Sequence, residues 1–327
     1  MTLLLTRSDV ERLLDPLACI DSVEAAFRSR GEGTPLPAGV LGVSARDGTF
    51  HVKAALGGGV NPYYVAKINA NYPGNPRRHG LPTIQGVLAL FDATNGALLA
   101  LMDSMAITVL RTAAASAVAA RYLARPDARV ATIVGCGAQA GAQVAAIRAV
   151  RPLERLYAVD VDRAAAERFA ATFDGASGFA VSIADEMRHA TRQSDIIITC
   201  TTSRRAFLGR DDVRPGTFVA AVGADNEEKH EVDPALMAAA VVVTDVTDQC
   251  AHIGDLHHAI DAGTMSPSGV RAELSTVVVD PSRGRRSDEE ILVFDSTGVA
   301  FQDVAAAAIV YEKAPRDGGG AQIDLSA

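Results

Sequence analysis

The sequence predicts an α/β protein in two units: a doubly wound parallel sheet over residues 123–298, and an α+β unit over residues 1–122 that residues 299–327 return to complete. Three observations carry this. From Arg129 onward, near-continuous apolar runs alternate with Ala-rich amphipathic stretches, the texture of a parallel sheet covered on both faces. Between Gly39 and Leu101, short β-rich runs are separated by Gly, Pro and Asn clusters, which reads as an antiparallel meander. The last apolar helix is followed by no further sheet segment, so it is expected to fold back onto the first unit. A length of 327 residues accommodates two domains of ordinary size.

The elements follow in order. Val10, Leu13, Leu14, Leu17, Ile20, Val23 and Phe27 recur every three or four residues, giving one or two amphipathic helices between Asp9 and Arg30, interrupted near Pro16. Strands are expected at Val40–Val43, Phe50–Ala54, Tyr63–Ile68, Ile84–Phe91 and Leu98–Leu101, with Asp92–Gly96 as the clearest hairpin turn. Met105–Ala124 is an alanine-dominated helix whose small side chains allow close packing on nearly every side, and Pro126 marks its end. Strands and helices then alternate through VATIVG, AQAGAQVAAIRAV, RLYAVDV, SDIIITCT, TFVAAVG and AVVVTD. The closing DGGGAQIDLSA is expected to fray.

Composition narrows the function classes. The chain is 48% hydrophobic and 21% charged, as soluble globular proteins are, and carries a net charge of −8, which disfavours a nucleic-acid partner. Cys19, Cys136, Cys200 and Cys250 form no C-x-x-C pair, so neither a zinc ribbon nor a disulfide framework is supported. The three-leucine run before Arg7 is too short and too charged for a signal-peptide core, and no stretch offers the roughly 18 apolar residues of a spanning helix. The expected location is the cytoplasm, with no membrane partner.

Gly135-Cys136-Gly137-Ala138-Gln139-Ala140 follows the apolar strand Val130–Val134 and opens a helix, the context that the dinucleotide fingerprint G-x-G-x-x-G/A requires. Gly135 allows the tight turn, Gly137 lets a pyrophosphate approach the backbone, and Ala140 keeps helix and strand close. The helix N-terminus adds free N–H groups and a positive dipole end. The next strand ends in Asp160, twenty residues beyond Ala140, where a carboxylate accepts the ribose hydroxyls of NAD. This pattern makes a Rossmann unit. Asp160 favours NAD over NADP, while the nearby Arg163 leaves NADP open.

Three charges sit in apolar surroundings. Arg111 lies in the alanine-rich helix, where a buried guanidinium needs an anionic partner from protein or ligand and a surface one needs none. Lys67 in YYVAKI and Lys53 in FHVKAAL pose the same choice, since strand lysines usually face solvent. Asp225 follows the strand TFVAAVG, at the C-terminal edge where open parallel sheets hold ligands, or else it caps a turn.

Together these segments resemble the ornithine cyclodeaminase/mu-crystallin family of nicotinamide-dependent proteins. The resemblance rests on Lys67-Ile-Asn, Asn71-Tyr-Pro-Gly-Asn75, Gly80-Leu-Pro-Thr-Ile-Gln-Gly86, Leu110-Arg-Thr-Ala-Ala-Ala-Ser116, Ile133-Val-Gly-Cys-Gly-Ala-Gln139, Val222-Gly-Ala-Asp225 and Phe294-Asp-Ser-Thr-Gly298, in the family's order. It implies a homodimer formed through the N-terminal sheet unit and the returning C-terminal helix. It implies that Lys67 and Arg111 hold the carboxylate of an α-amino or α-imino acid, with Lys67 and Asp225 catalytic and Asp225 facing the substrate nitrogen. It also implies that Gly135, Gly137, Ala138, Gln139, Asp160, Arg163, Thr112, Thr201, Val222, Ser296 and Gly298 line the cofactor. Cyclodeaminases of the family carry an arginine before the first strands and a glutamate ahead of the lysine. Here those stretches read Thr34-Pro-Leu-Pro-Ala-Gly39 and His51-Val-Lys53-Ala-Ala. A simple amino-acid dehydrogenase or imine reductase therefore fits better, with Lys53 as a further substrate contact. An ornithine cyclodeaminase using NAD catalytically and a mu-crystallin-like binding protein remain the alternatives.

His252, His257 and His258 with Asp255 match no standard metal spacing, so no metal is expected. Arg283–Arg286 reads as an exposed basic loop, and Cys136 has no histidine to activate it.

Overall fold

The structure, a computed structural model, describes residues 1–59, 61–173 and 179–325. The chain divides into two compact units, Met1–Arg111 with Val299–Ala327, and Thr112–Gly298. The first boundary falls inside the helix Ser104–Leu123 and not after it. The two halves of that helix have different partners: Thr108 and Arg111 bond to Lys67 and Asp303, whereas Arg151 donates to the carbonyls of Arg121 and Ala124.

The first unit is a seven-stranded sheet in the order Ala321–Ile323, Thr2–Leu5, Leu98–Asp103, Ile84–Asp92, Tyr63–Asn71, Gly48–Gly57, Ala38–Ala45. The central meander is antiparallel, as its Gly- and Asn-rich punctuation predicts. Two edge features escape the sequence reading. Thr2–Leu5 pairs in parallel with Leu98–Asp103, and the expected frayed tail instead pairs Ala321–Ile323 against Thr2–Leu4. Ser326 and Ala327 lie outside the described residues. Helix Arg7–Leu13 is followed by Pro16–Gly31, whose start is capped by Asp15 accepting the N–H of Ala18 at 2.8 Å. The returning helix Ala300–Lys313 packs on Pro16–Gly31 and on the inward sheet face, with Phe27 edge-on to Phe301 at 5.1 Å.

The second unit is an all-parallel eight-stranded sheet in the order Ala272–Glu273, Val241–Thr244, Leu292–Asp295, Phe218–Ala221, Ile196–Thr199, Val130–Val134, Arg155–Val159, Ala180–Ile183. Its central strands are buried along their length, which explains their continuous apolar sequences. Strand order reverses between Val130–Val134 and Ile196–Thr199, the switch point at which doubly wound sheets bind ligands. The expected fold class is therefore found.

Candidate active site

In the first unit, alternation along Tyr63–Asn71 decides the fate of Lys67. Tyr63, Val65 and Lys67 are buried while Tyr64 and Ile68 are exposed, so the lysine faces inward and not toward solvent. Helix Ser104–Leu123 presents Arg111, and helix Ala300–Lys313 presents Asp303, to the same place. Lys67 Nζ lies 2.9 and 2.8 Å from Oδ1 and Oδ2 of Asp303 and 3.2 Å from Thr108 Oγ1. Arg111 donates through Nε to Asp303 Oδ1 at 2.9 Å and through Nη1 to Gln302 Oε1 at 3.0 Å. Lys67 and Arg111 are 3% and 4% exposed, and Asp303 is fully buried.

One carboxylate thus bridges two cations. Burial works against the charge of Asp303, but Lys67 and Arg111 outweigh it and hold the carboxyl below its usual range. Lys67 moves the other way, down to about 7. Burial dominates, Arg111 and Lys53 add repulsion, and Asp303 opposes them. Lys53 is half-buried and stands directly opposite Lys67 in the antiparallel register. The structure therefore brings Lys53, Lys67 and Arg111 into one cation-rich cluster around Asp303. Sequence reasoning missed Asp303 and Gln302, although a lone acid in the apolar run AFQDVAAAAIV is the same signal that singled out Arg111.

In the second unit, Gly135 takes the turn at φ +96°, and a Cβ there would sit 2.9 Å from the Cys200 carbonyl oxygen and from Thr201 Cγ2. A Cβ on Gly137 would meet nothing within 4 Å, which leaves the approach to the turn open. Gly137 and Ala138 are exposed, and Gln139 Oε1 is a buried acceptor with no hydrogen-bond partner among the described residues. Asp160 accepts the N–H of Cys136 at 2.7 Å and that of Asp162 at 2.8 Å, tying the second strand's end to the glycine turn. A carboxylate has about four lone-pair sites, so capacity for ribose hydroxyls remains. These features fit a dinucleotide. The guanidinium of Arg163 is engaged by Glu167 at 3.0 Å and by Asp185.

Of the remaining sequence-derived candidates of this unit, Thr112 lies in the helix Ser104–Leu123, and Thr201, Val222, Ser296 and Gly298 follow the C-terminal ends of strands. Val222 donates its N–H to Thr199 O at 3.0 Å and Ser296 to Ala221 O at 3.0 Å, while Gly298 takes φ +76° and Thr112 is buried. Asp225 sits on a half-exposed loop, its Oδ1 2.6 Å from Lys229 Nζ.

Behind these loops lies a set of buried acids that the sequence reading did not find. Glu231 accepts from Thr199 Oγ1 at 2.7 Å and from the N–H groups of Thr201 at 2.6 Å and Gly223 at 2.8 Å. Asp255 accepts the N–H groups of Glu231 and Val232, and Asp295 those of Asp255 and Leu256. Asp245 accepts those of Thr297 at 2.9 Å and Gly298 at 2.8 Å. Burial raises Glu231 above its usual range. It raises Asp255 further, with Asp295 and Glu231 adding repulsion, and lifts Asp295 to about 7. Asp295 thus pins the segment that carries Asp255, Asp255 the one that carries Glu231, and Glu231 and Asp245 fix the loops after the strands Ile196–Thr199, Phe218–Ala221 and Leu292–Asp295 by carboxylate–backbone bonds.

Signals set aside from sequence resolve as follows. Among the described residues, no cluster of His, Cys, Asp and Glu is arranged to hold a metal, and His258 stacks on His230 at 3.9 Å. Cys136 is pushed up to about 12 by burial and by Asp160, so it is a thiol at neutral pH. Arg283 and Arg286 are exposed, but Arg285 departs from the expected loop: it donates to the carbonyls of Leu123, Gly216 and Glu290 and acts as a structural clamp. Among the described residues, no helix is long and apolar enough to cross a membrane.

The fold and both charge clusters define a nicotinamide-dependent α/β protein class. Residues 1–318 match the model of the ornithine cyclodeaminase/mu-crystallin family, and the chain belongs to that family. It superposes on an archaeal alanine dehydrogenase, a dimer with bound NAD, with a TM-score of 0.93 and 35% identity over 99% of both chains. It superposes equally on the Thermococcus litoralis Delta(1)-pyrroline-2-carboxylate reductase in complex with NADH and L-proline (TM-score 0.93, 32% identity, 98% of this chain and 100% of that one). It is 32% identical to the iminosuccinate reductase of Paracoccus denitrificans over 99% of this chain and 100% of that protein.

Proposed function

We propose that the protein is an NAD-dependent oxidoreductase of small α-amino and α-imino acids. The observation that carries this reading is the buried Lys67–Asp303–Arg111 cluster in a chain whose second unit holds a complete dinucleotide turn. Bound NAD would supply hydride transfer to or from the α-carbon of the amino or imino acid.

Gly135, Gly137, Ala138 and Gln139 receive the pyrophosphate, and Asp160 the ribose hydroxyls. Thr112, Thr201, Val222, Ser296 and Gly298 support the nicotinamide end. Engagement of Arg163 by Glu167 and Asp185 supports NAD over NADP, because its charge is already matched by two carboxylates. Arg111 and protonated Lys67 bind the substrate carboxylate, a charge-assisted contact that fixes the orientation of the α-carbon. Asp303 holds both cations in place through the bonds described above. With its titration near 7, Lys67 is also able to hold or release a proton at Nζ in the working pH range. Asp225 faces the substrate nitrogen and accepts or returns its proton. Related proteins named as dehydrogenase and imine reductases support this assignment over cyclisation.

The test is to incubate the purified protein with NAD(H) and NADP(H) against amino acids, cyclic imines and keto acid plus ammonium pairs, following nicotinamide absorbance and free ammonia. A substrate-dependent net change in reduced cofactor supports the reading. Ammonia from ornithine or lysine without that change overturns it in favour of a cyclodeaminase, and silence in both overturns it in favour of a binding protein.

The same reading includes a homodimer in the cytoplasm. The outer sheet face, set by register, carries Leu41, Val43, Phe50, Ile68 and Val87, all exposed. Antiparallel sheets usually turn polar residues to water on the open face, so this apolar face calls for a cover, and a second copy supplies one. Ile68→Lys is expected to give a monomer by light scattering; an unchanged dimer places the interface elsewhere.

A further inference from the structure

We propose that Gln302 is a further contact for the substrate carboxylate beside Arg111 and Lys67: its Nε2 donates to the ligand while its Oε1 steadies the guanidinium. The inference rests on the functional reading above and adds to it a residue that discriminates a carboxylate from its uncharged analogue.

Gln302 stands in the first turn of the helix Ala300–Lys313, next to Asp303. Consecutive side chains on a helix diverge by about 100°. Arg111 spans the two, with Nε on Asp303 Oδ1 at 2.9 Å and Nη1 on Gln302 Oε1 at 3.0 Å. A guanidinium only donates, so the amide oxygen faces it and Nε2 is turned elsewhere. Gln302 is fully buried, yet Nε2 has no hydrogen-bond partner among the described residues. Leaving a buried amide donor without an acceptor is costly, and a ligand that supplies the acceptor recovers the cost.

The neighbours of Gln302 have donors to spare. Arg111 engages two of its five N–H groups, and Lys67 donates to Asp303 Oδ1 and Thr108 Oγ1, which leaves one of its three. Asp303 supplies one negative charge between two cations. The surplus is therefore of donors and of positive charge together. A carboxylate, anionic and acceptor-only, answers both; a carboxamide brings donors of its own and no charge. The helix works in the same direction. Its N-cap, Val299, makes no side-chain hydrogen bond to the first turn, and the positive end of a 14-residue helix favours an anion. Across the amide, Nε2 is about 2.3 Å from Oε1 and hence within about 5–6 Å of Arg111 Nη1. One carboxylate bridges that span with an oxygen on each donor.

The experiment is calorimetric titration of the NAD-loaded full chain with propionate and with propionamide, which match in shape and differ in charge. The parent is expected to bind propionate at least about tenfold tighter than propionamide, the scale of a hydrogen bond to a charged group. Gln302→Met removes both amide atoms; Gln302→Glu keeps an acceptor for Arg111 and removes the donor. Each is expected to weaken propionate at least about tenfold while propionamide stays within about threefold. Gln302→Glu is expected to fold as the parent does, because its carboxylate takes the place of Oε1 on Arg111. It also separates contact from support: a residue that only steadied Arg111 would leave propionate binding in this variant at the parent's level. Equal binding of the two probes by the parent, or parent-like propionate affinity in Gln302→Glu, overturns the proposal, and amino-acid turnover by the parent then leaves the oxidoreductase standing. Propionate binding that both variants lose, in a protein silent toward every amino and keto acid, overturns the oxidoreductase reading and leaves Gln302 as a carboxylate contact.

Discussion

The two units bury charge in opposite ways. In the first, two cations from a strand and a helix converge on one carboxylate from a third element, so neutralisation depends on side chains that are far apart in sequence. In the second, Glu231, Asp255, Asp295 and Asp245 have no cationic partner among the described residues and are held by backbone N–H groups and hydroxyls, with Asp255 Oδ2 left without a hydrogen-bond partner. The cation cluster keeps an excess of positive charge and therefore suits an anionic ligand. The acids spend their acceptor capacity on the chain itself and serve as a scaffold for the loops at the strand ends. The lesson is that buried charges left with an excess of one sign mark a binding site, whereas buried acids that tie backbone segments together mark architecture.

Substitutions separate the two cases. The largest effect is expected at Asp303: Asp303→Ala leaves two buried cations facing each other and should cost about 3–5 kcal/mol in urea unfolding, as loss of one partner of a buried pair does. A cost under about 1 kcal/mol, the scale of an exposed pair, would break the contrast. Glu231→Gln keeps the shape but turns one acceptor into a donor facing the Thr199 hydroxyl or the Gly223 N–H. It should cost about 1–3 kcal/mol, and kcat should fall more than KM rises because the Thr201 and Gly223 segments lose their anchor.

The pH dependence has a defined sign. Lys67 loses its proton near pH 7 in the folded chain, whereas the unfolded chain holds it up to the ordinary lysine range of 10.5. Between those values the unfolded state binds more protons, so the Lys67 contribution to stability rises with pH and is flat below about 7. Comparing unfolding of the parent and Lys67→Met across that range checks it; identical slopes would remove Lys67 from the titrating cluster. The smallest expected effect is a change of preference: Asp160→Ser should relax selection of NAD over NADP, measured as relative affinity, and no change would sink the role of Asp160.

The second unit was the more legible from sequence. Its turn chemistry is local, so the strand, Gly135, Gly137, the helix and Asp160 lie within one short stretch, and the parallel-sheet texture of the strands is continuous. The first unit's meander was legible for the same reason, in its turn residues. What stayed hidden was long-range. Whether Lys67 faces solvent or core depends on which side of the sheet the helix Ala300–Lys313 covers, and Asp303 reaches Lys67 across 236 positions of sequence. The buried acids also escaped, because an Asp or Glu at a strand end looks like an ordinary turn residue until the backbone N–H groups that satisfy it are brought in from other loops. The pairing of Ala321–Ile323 with the N-terminal strand was missed because a glycine-rich tail carries no local strand signal.

The central claim is that the cluster in the first unit is a carboxylate site and the acids in the second are not part of ligand binding. It is tested most directly by calorimetric titration of the NAD-loaded protein with the amino acid it turns over, in the parent, Arg111→Ala and Glu231→Gln. The account predicts that Arg111→Ala weakens binding by about 2–4 kcal/mol, the cost of removing a charge-assisted contact to a carboxylate, while Glu231→Gln stays within about threefold of the parent, near 0.6 kcal/mol. Equal affinity of Arg111→Ala and the parent would contradict it.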